Sequence, residues 1–94
     1  MTGVQTCALP IFAVQADVAD EAQVLAMFAR IDAKFGPLTG LVNNAGVVDV
    51  TARLDQMDWA RWRRMFDINV LGSMLCAREA VRSEDTRLNS SHRL

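Results

Sequence analysis

The sequence predicts an α/β fold with a parallel sheet, and three observations carry that prediction. Short apolar runs at Phe12–Ala16 and Leu38–Val42 have the length and composition of buried strands. Each is followed by a helix with its own start signal. The resulting order, strand–helix–strand–helix, is that of parallel sheets, whose strands are joined by helical crossovers.

The elements follow in chain order. Phe12–Ala16 closes at Asp17. Asp20-Glu21-Ala22-Gln23 reads as a capping box, with Asp20 the N-cap and Gln23 three residues on. Val24, Phe28, Ile31 and Phe35 recur at spacings of four, three and four, which places them on one face of a helix. Gly36-Pro37 is its stop signal. Leu38–Val42 is the second strand, running into Asn43-Asn44-Ala45-Gly46. Val47–Gln56 reads as a loop of mixed polarity. Asp58 is an N-cap for a longer helix from Trp59 to about Val81, with Trp59, Trp62, Phe66, Val70 and Met74 on one helical repeat. Gly72 inside it costs about 1 kcal/mol against alanine unless something packs close to it.

Composition narrows the function classes. The chain has 94 residues and a formal net charge of −1, enough for one small domain and no electrostatic case for nucleic acid or an anionic membrane. Two Cys and one His cannot supply a four-ligand zinc site, so no metal is expected. The apolar run Cys7–Val14 lacks the preceding positive charge of a signal peptide, and no stretch approaches the roughly 18 apolar residues of a membrane span. A reducing, cytoplasmic setting is expected.

The two ends are related through the genetic code. Thr86-Arg87-Leu88-Asn89-Ser90-Ser91-His92 can be written ACA CGT CTG AAC TCC AGT CAC. The reverse complement, GTG ACT GGA GTT CAG ACG TGT, encodes Met1-Thr2-Gly3-Val4-Gln5-Thr6-Cys7 when GTG is read as a start. Seven codons in register point to translated sequencing-adapter DNA, one strand at each end. Residues 1–12 and 82–94 are therefore expected to be non-native tails and are set aside from fold reasoning. Residues 13–81 form the informative insert, with nine acidic and seven basic residues.

Within that insert, four features match in order: Ala16-Asp17-Val18 after a strand, Leu41-Val42-Asn43-Asn44-Ala45-Gly46, Trp59 in the next helix, and Ile68-Asn69-Val70. In these the chain resembles the classical short-chain dehydrogenase/reductase family. The resemblance implies a fragment of a Rossmann-like, doubly wound parallel sheet. It also implies NAD or NADP as cofactor, a small-molecule alcohol or carbonyl substrate and a homo-oligomeric parent enzyme. It assigns Asp17 to the adenine amino group, Val18 to the adenine ring, and Asn43, Asn44, Ala45 and Gly46 to bracing the sheet and lining the adenosine ribose.

Each assignment has a physical basis beside a plainer reading. Asp17 lies just past a strand's carboxyl end, where open α/β sheets bind ligands, yet Asp also starts turns there. Asn43 and Asn44 offer donors and acceptors together, and Ala45 and Gly46 keep the surface small for close approach. Asn69 is polar in a mostly apolar helix, where Asn competes with the backbone. The resemblance makes it the catalytic Asn, which holds a helix kink and binds a water in the proton relay. Asp67 reads as a surface charge. Trp59, Trp62 and Phe66 read as core, and Arg61, Arg63 and Arg64 as a solvated outer face.

The missing residues also bear on function. None of the five glycines forms the family's phosphate loop, there is no Tyr, and the only Lys is Lys34 on the first helix. The catalytic Ser, Tyr and Lys are thus absent, and the chain is expected to be inactive, poorly folded and without a cooperative melt. In the strand order 3-2-1-4-5-6 the two predicted strands are separated by two others, so neither has its neighbour. Two other readings compete with an enzyme fragment: a truncated binding or oligomerisation module acting through the long helix, and a nucleotide-sensing regulator without catalysis.

Overall fold

The computed structural model describes residues 11–92, with side chains to residue 84. Helix α1 spans Glu21–Phe35, α2 spans Trp59–Phe66, and α3 spans Gly72–His92. A single π-helical turn, Asp67–Leu71, joins α2 to α3, and a 3-10 turn at Leu54–Gln56 precedes α2.

The caps form as their residues dictate. Asp20 Oδ1 accepts the Gln23 N–H at 3.2 Å, and Gln23 Nε2 donates to Asp20 Oδ2 at 3.0 Å. The box differs from the expected reciprocal form. Gln23 Oε1 accepts the N–H of Asp17 at 2.9 Å, so the side chain ties down the turn before the helix. These bonds, led by the one from the Gln23 backbone, hold the Asp20 carboxyl below its ordinary range. Gly36 ends α1 at φ +82°, the left-handed conformation that favours glycine, and its N–H donates to the Asp32 carbonyl at 2.9 Å. Asp58 caps α2 by accepting the Arg61 N–H at 2.9 Å.

The core is small. Val24 and Phe28 of α1 meet Cys76 of α3, with Val18, Met27, Leu38, Leu75 and Ala80 packed around them. Of the predicted α1 stripe, Phe35 lies outside this core; its ring meets Phe12 edge-on at 6.0 Å. Gly72 explains its place in the helix: a Cβ there would lie 2.7 Å from Val18 Cγ2 and 3.1 Å from the Val18 carbonyl oxygen. At the far end of α1, buried Ser83 of α3 accepts the Leu38 N–H at 2.9 Å and donates to Asp32 Oδ1 at 3.0 Å. The helix runs on to His92, past the predicted end near Val81, with no glycine or proline to stop it.

The predicted parallel sheet is not formed: among the described residues there is no strand. The physical reason is pairing. A strand exists through hydrogen bonds to a neighbour, and no backbone bond joins the segments around 12–16 and 38–46 to each other or to a third segment among the described residues. Val42, expected within a buried strand, is 87% exposed.

Candidate cofactor site

The π turn organises the site. It places Asn69 where its side-chain amide faces the backbone N–H and C=O of Val47. Nδ2 donates to the Val47 carbonyl at 2.8 Å, and Oδ1 accepts the Val47 N–H at 2.8 Å. One amide side chain thus reproduces a strand-like pair of hydrogen bonds with the loop. One residue earlier, Gly46 lies so close that a Cβ would meet Asn69 Oδ1 at 3.4 Å. Asn43 Nδ2 donates to the Ser73 carbonyl at 3.2 Å, one helical turn beyond Asn69. Asn43, Ala45, Gly46, Val47 and Asn69 therefore border one open cleft of about 480 Å³.

Asp17 and Val18 lie elsewhere. They sit at the start of α1, and Val18 borders a second hollow of about 310 Å³ floored by Leu71 and Leu75. The π turn separates the two: Asn69 faces the first cleft, while Asp67 and Leu71 line the second. Asp17 does start a turn, its Oδ1 accepting the Ala19 N–H at 2.9 Å and its carbonyl accepting the Asp20 N–H at 3.0 Å. Its Oδ2 faces Arg64 Nη1 at 3.5 Å, which leaves lone pairs for a further donor. Asn44 is exposed and does not border the cleft.

Several side chains behave differently from their sequence reading. Arg63 and Arg64 of α2 are exposed, as a solvated face requires, while Arg61 is only 27% exposed; each of the three also holds a partner. Arg61 meets Asp49 at 2.6 Å, Arg63 meets Asp67 at 3.1 Å, and Arg64 meets Asp17. The Arg61 hydrogen bond, joined by the Val50 N–H, holds the Asp49 carboxyl below the usual range. No local pattern marks these pairs, apart from the i,i+4 spacing of Arg63 and Asp67. Trp59 and Phe66, read as core, are 72% and 62% exposed. With Trp62 and Arg63 they border an apolar groove of about 430 Å³. The helical repeat is real, but nothing among the described residues covers that face. Val47 and Ser73 join the site through backbone atoms, which no side-chain pattern marks.

Comparison with known proteins places this geometry. The family model described as short chain dehydrogenase matches residues 2–88, and the chain belongs to that family. It is 45% identical over 71 residues to the uncharacterized oxidoreductase YgfF of Escherichia coli strain K12, covering 76% of this chain and 29% of that protein. Among solved structures it resembles a Serratia marcescens short-chain dehydrogenase/reductase, the F98L/F202L mutant. There the TM-score is 0.77 at 30% identity, over 84% of this chain and 32% of that one. It also resembles ElxO with NADP bound, with a TM-score of 0.68 at 36% identity, over 73% of this chain and 28% of that one. These neighbours imply a Rossmann-like fold, of which the described residues here form helices and no strand, and the chain spans 29%, 32% and 28% of the length of these three proteins.

Proposed function

We propose that this chain is the central portion of an NAD- or NADP-dependent oxidoreductase that moves hydride between nicotinamide and an alcohol or carbonyl substrate. The observation that carries the reading is the double hydrogen bond between Asn69 and Val47 at the π turn, beside Ala45 and Gly46. A π turn often marks a functional site, because the extra residue re-aims a side chain at a cost in helix regularity.

The residues present fit the cofactor. Ala45 and Gly46 leave backbone open to close approach, and Asp17 Oδ2 has acceptor capacity for an exocyclic amine. Asp17 and Val18 would hold the adenine end from beside the second hollow, and Asn43, Ala45 and Gly46 the ribose, while Asn44, which the resemblance also assigns to the ribose, lies outside the cleft. When bound, the nicotinamide supplies the hydride chemistry. Asn69 locks the loop to the helix. Both polar atoms of its side chain are engaged with Val47, and its main-chain carbonyl, which accepts the Ser73 hydroxyl at 3.4 Å, keeps a second lone pair for a relay water.

The same proposal takes residues 1–12 and 82–94 as translated adapter. The family match over residues 2–88 extends into both segments, so what supports this is the codon complementarity of the two ends. A reducing cytoplasmic setting goes with it, in keeping with Cys76 as a free buried thiol. The chain alone then binds no nicotinamide cofactor and shows no cooperative melt. The test is a long read of the source DNA across the junctions near Phe12 and Val81, followed by expression of the extended frame. A glycine loop upstream, Tyr-x-x-x-Lys downstream and cofactor-dependent turnover of an alcohol or ketone are expected. Source DNA encoding Met1–Leu94 as it stands would overturn the reading.

A second reading, an oligomerisation module, is favoured by one observation. Trp59 and Phe66 of α2, Val70 of the π turn, and Met74 and Val81 of α3 are all exposed apolar residues. In the oxidoreductase reading these surfaces are the contact between copies of the parent enzyme.

A further inference from the structure

The loop that closes the cleft carries its apolar side chains into solvent, with Val48 93% and Val50 77% exposed. Burial does not hold it in place, and polar contacts must. Asn69 supplies one set, on Val47. Arg61 supplies the other from the first turn of α2. Its Nε donates to Asp49 Oδ2 at 2.6 Å, and its Nη2 donates to the Val50 carbonyl at 2.8 Å. Asp49 Oδ1 also accepts the Val50 N–H at 2.7 Å. The Arg61 and Asp49 side chains are only 27% and 31% exposed, so the pair is better shielded than an ordinary surface contact. The Arg61 N–H is itself bound by Asp58, which fixes the helix turn that projects the guanidinium.

We propose that Arg61 is a positioning residue for this site. By stapling residues 49 and 50 to α2, it holds Val47 where Asn69 can clamp it and sets the Val47–Val48 wall of the cleft. The argument is one of loop closure. The Asn69–Val47 contact alone must close a separation of 22 residues, whereas the Arg61–Asp49 contact closes 12 and leaves Val47 two residues from a fixed point. A planar fork with two donors suits a carboxylate and a neighbouring carbonyl together, which a lysine ammonium does not. The inference rests on the oxidoreductase reading only for the chemistry the cleft performs.

The experiment is amide hydrogen exchange by NMR on the protein expressed from the extended frame, without cofactor, read at the Val47 N–H. R61A should lower protection there about five- to tenfold, the scale of a partly exposed charge-assisted contact. D49A should do the same, and D49A/R61A should be no worse than either single variant, because both remove one interaction. R61K should recover part of the loss. The Val24 and Phe28 amides of α1 should keep their protection throughout. The inference is overturned by an unprotected Val47 in the unaltered chain, by no change in R61A, by additive losses in the double variant, or by parallel loss in α1. The readout needs no cofactor, so failed turnover by the extended protein would leave these ratios untouched.

Discussion

Replacing Gly72 by alanine sets two effects of opposite sign against each other. In an exposed helix the change would stabilise by about 1 kcal/mol. Here the added methyl would lie 2.7 Å from Val18 Cγ2, 3.1 Å from its Cβ and 3.1 Å from its carbonyl oxygen. Val18 cannot relieve this by a rotamer change alone, because two of the three atoms belong to or adjoin its backbone. The segment before α1 must move away from α3. Overpacking costs about 1–3 kcal/mol, and a 2.7 Å approach to a side chain that cannot turn away falls in the upper part of that range, so subtracting the propensity gain leaves a net loss of about 1–2 kcal/mol. Cys76, one turn further along α3 and 5% exposed, reports on that contact. Burial pushes its thiol pKa up, which further slows its reaction while the contact is closed. With Cys7 replaced by Ser, so that one thiol remains, the labelling rate of Cys76 should rise about 5- to 30-fold in the alanine variant. The assay reads local opening and needs no cooperative melt. A rate equal to or below that of glycine would refute the reasoning, since helix propensity would then have outweighed the close approach.

Three further outcomes follow from the same geometry. Asn69→Asp keeps an acceptor for the Val47 N–H but loses the donor to its carbonyl, so Val47 exchange should fall between those of Asn69 and Asn69→Ala; equal exchange in all three would sink the double-bond description. The Asp20 carboxyl is held low by its bonds to Gln23, so its support for α1 is fully present above the ordinary carboxylate value of 3.8. It is lost as pH falls through the lowered value, and Asp20→Asn should flatten the acid limb of the helical circular-dichroism signal. Trp59→Glu with Phe66→Glu should reduce self-association in light scattering; unchanged association would remove the exposed apolar surface of α2 as its cause.

What was legible in the sequence divides by range. The helices were, because their determinants are local: Asp20 with Gln23, Asp58 before Trp59, Gly36 at a left-handed stop. Gly72 was legible as a condition, that something must pack close, and Val18 meets it. Asn69 stood out as polar where its neighbours are apolar. Its partner did not, because a backbone group 22 residues away leaves no mark on side-chain pattern. The strands failed for a related reason. An apolar run specifies willingness to pair, not the presence of a mate, and Val42 stands exposed without one. The tryptophans show the converse, since an apolar periodicity says that a face wants cover and not what covers it.

The π turn has a consequence for the helix as a whole. One extra residue in a turn advances the helical phase by about 100°. The residues before Asp67 and those after Leu71 are therefore not on one continuous stripe, although the chain passes between them unbroken. The segment upstream can keep step with the loop at Asp49 and Val50 while the segment downstream keeps step with α1. The mismatch between the two rhythms is taken up around Asn69. Deleting one residue from 67–71 would straighten the helix and bring the two halves into phase. It would also turn Asn69 away from Val47 or Cys76 away from Val24, because a regular helix cannot serve both neighbours at once.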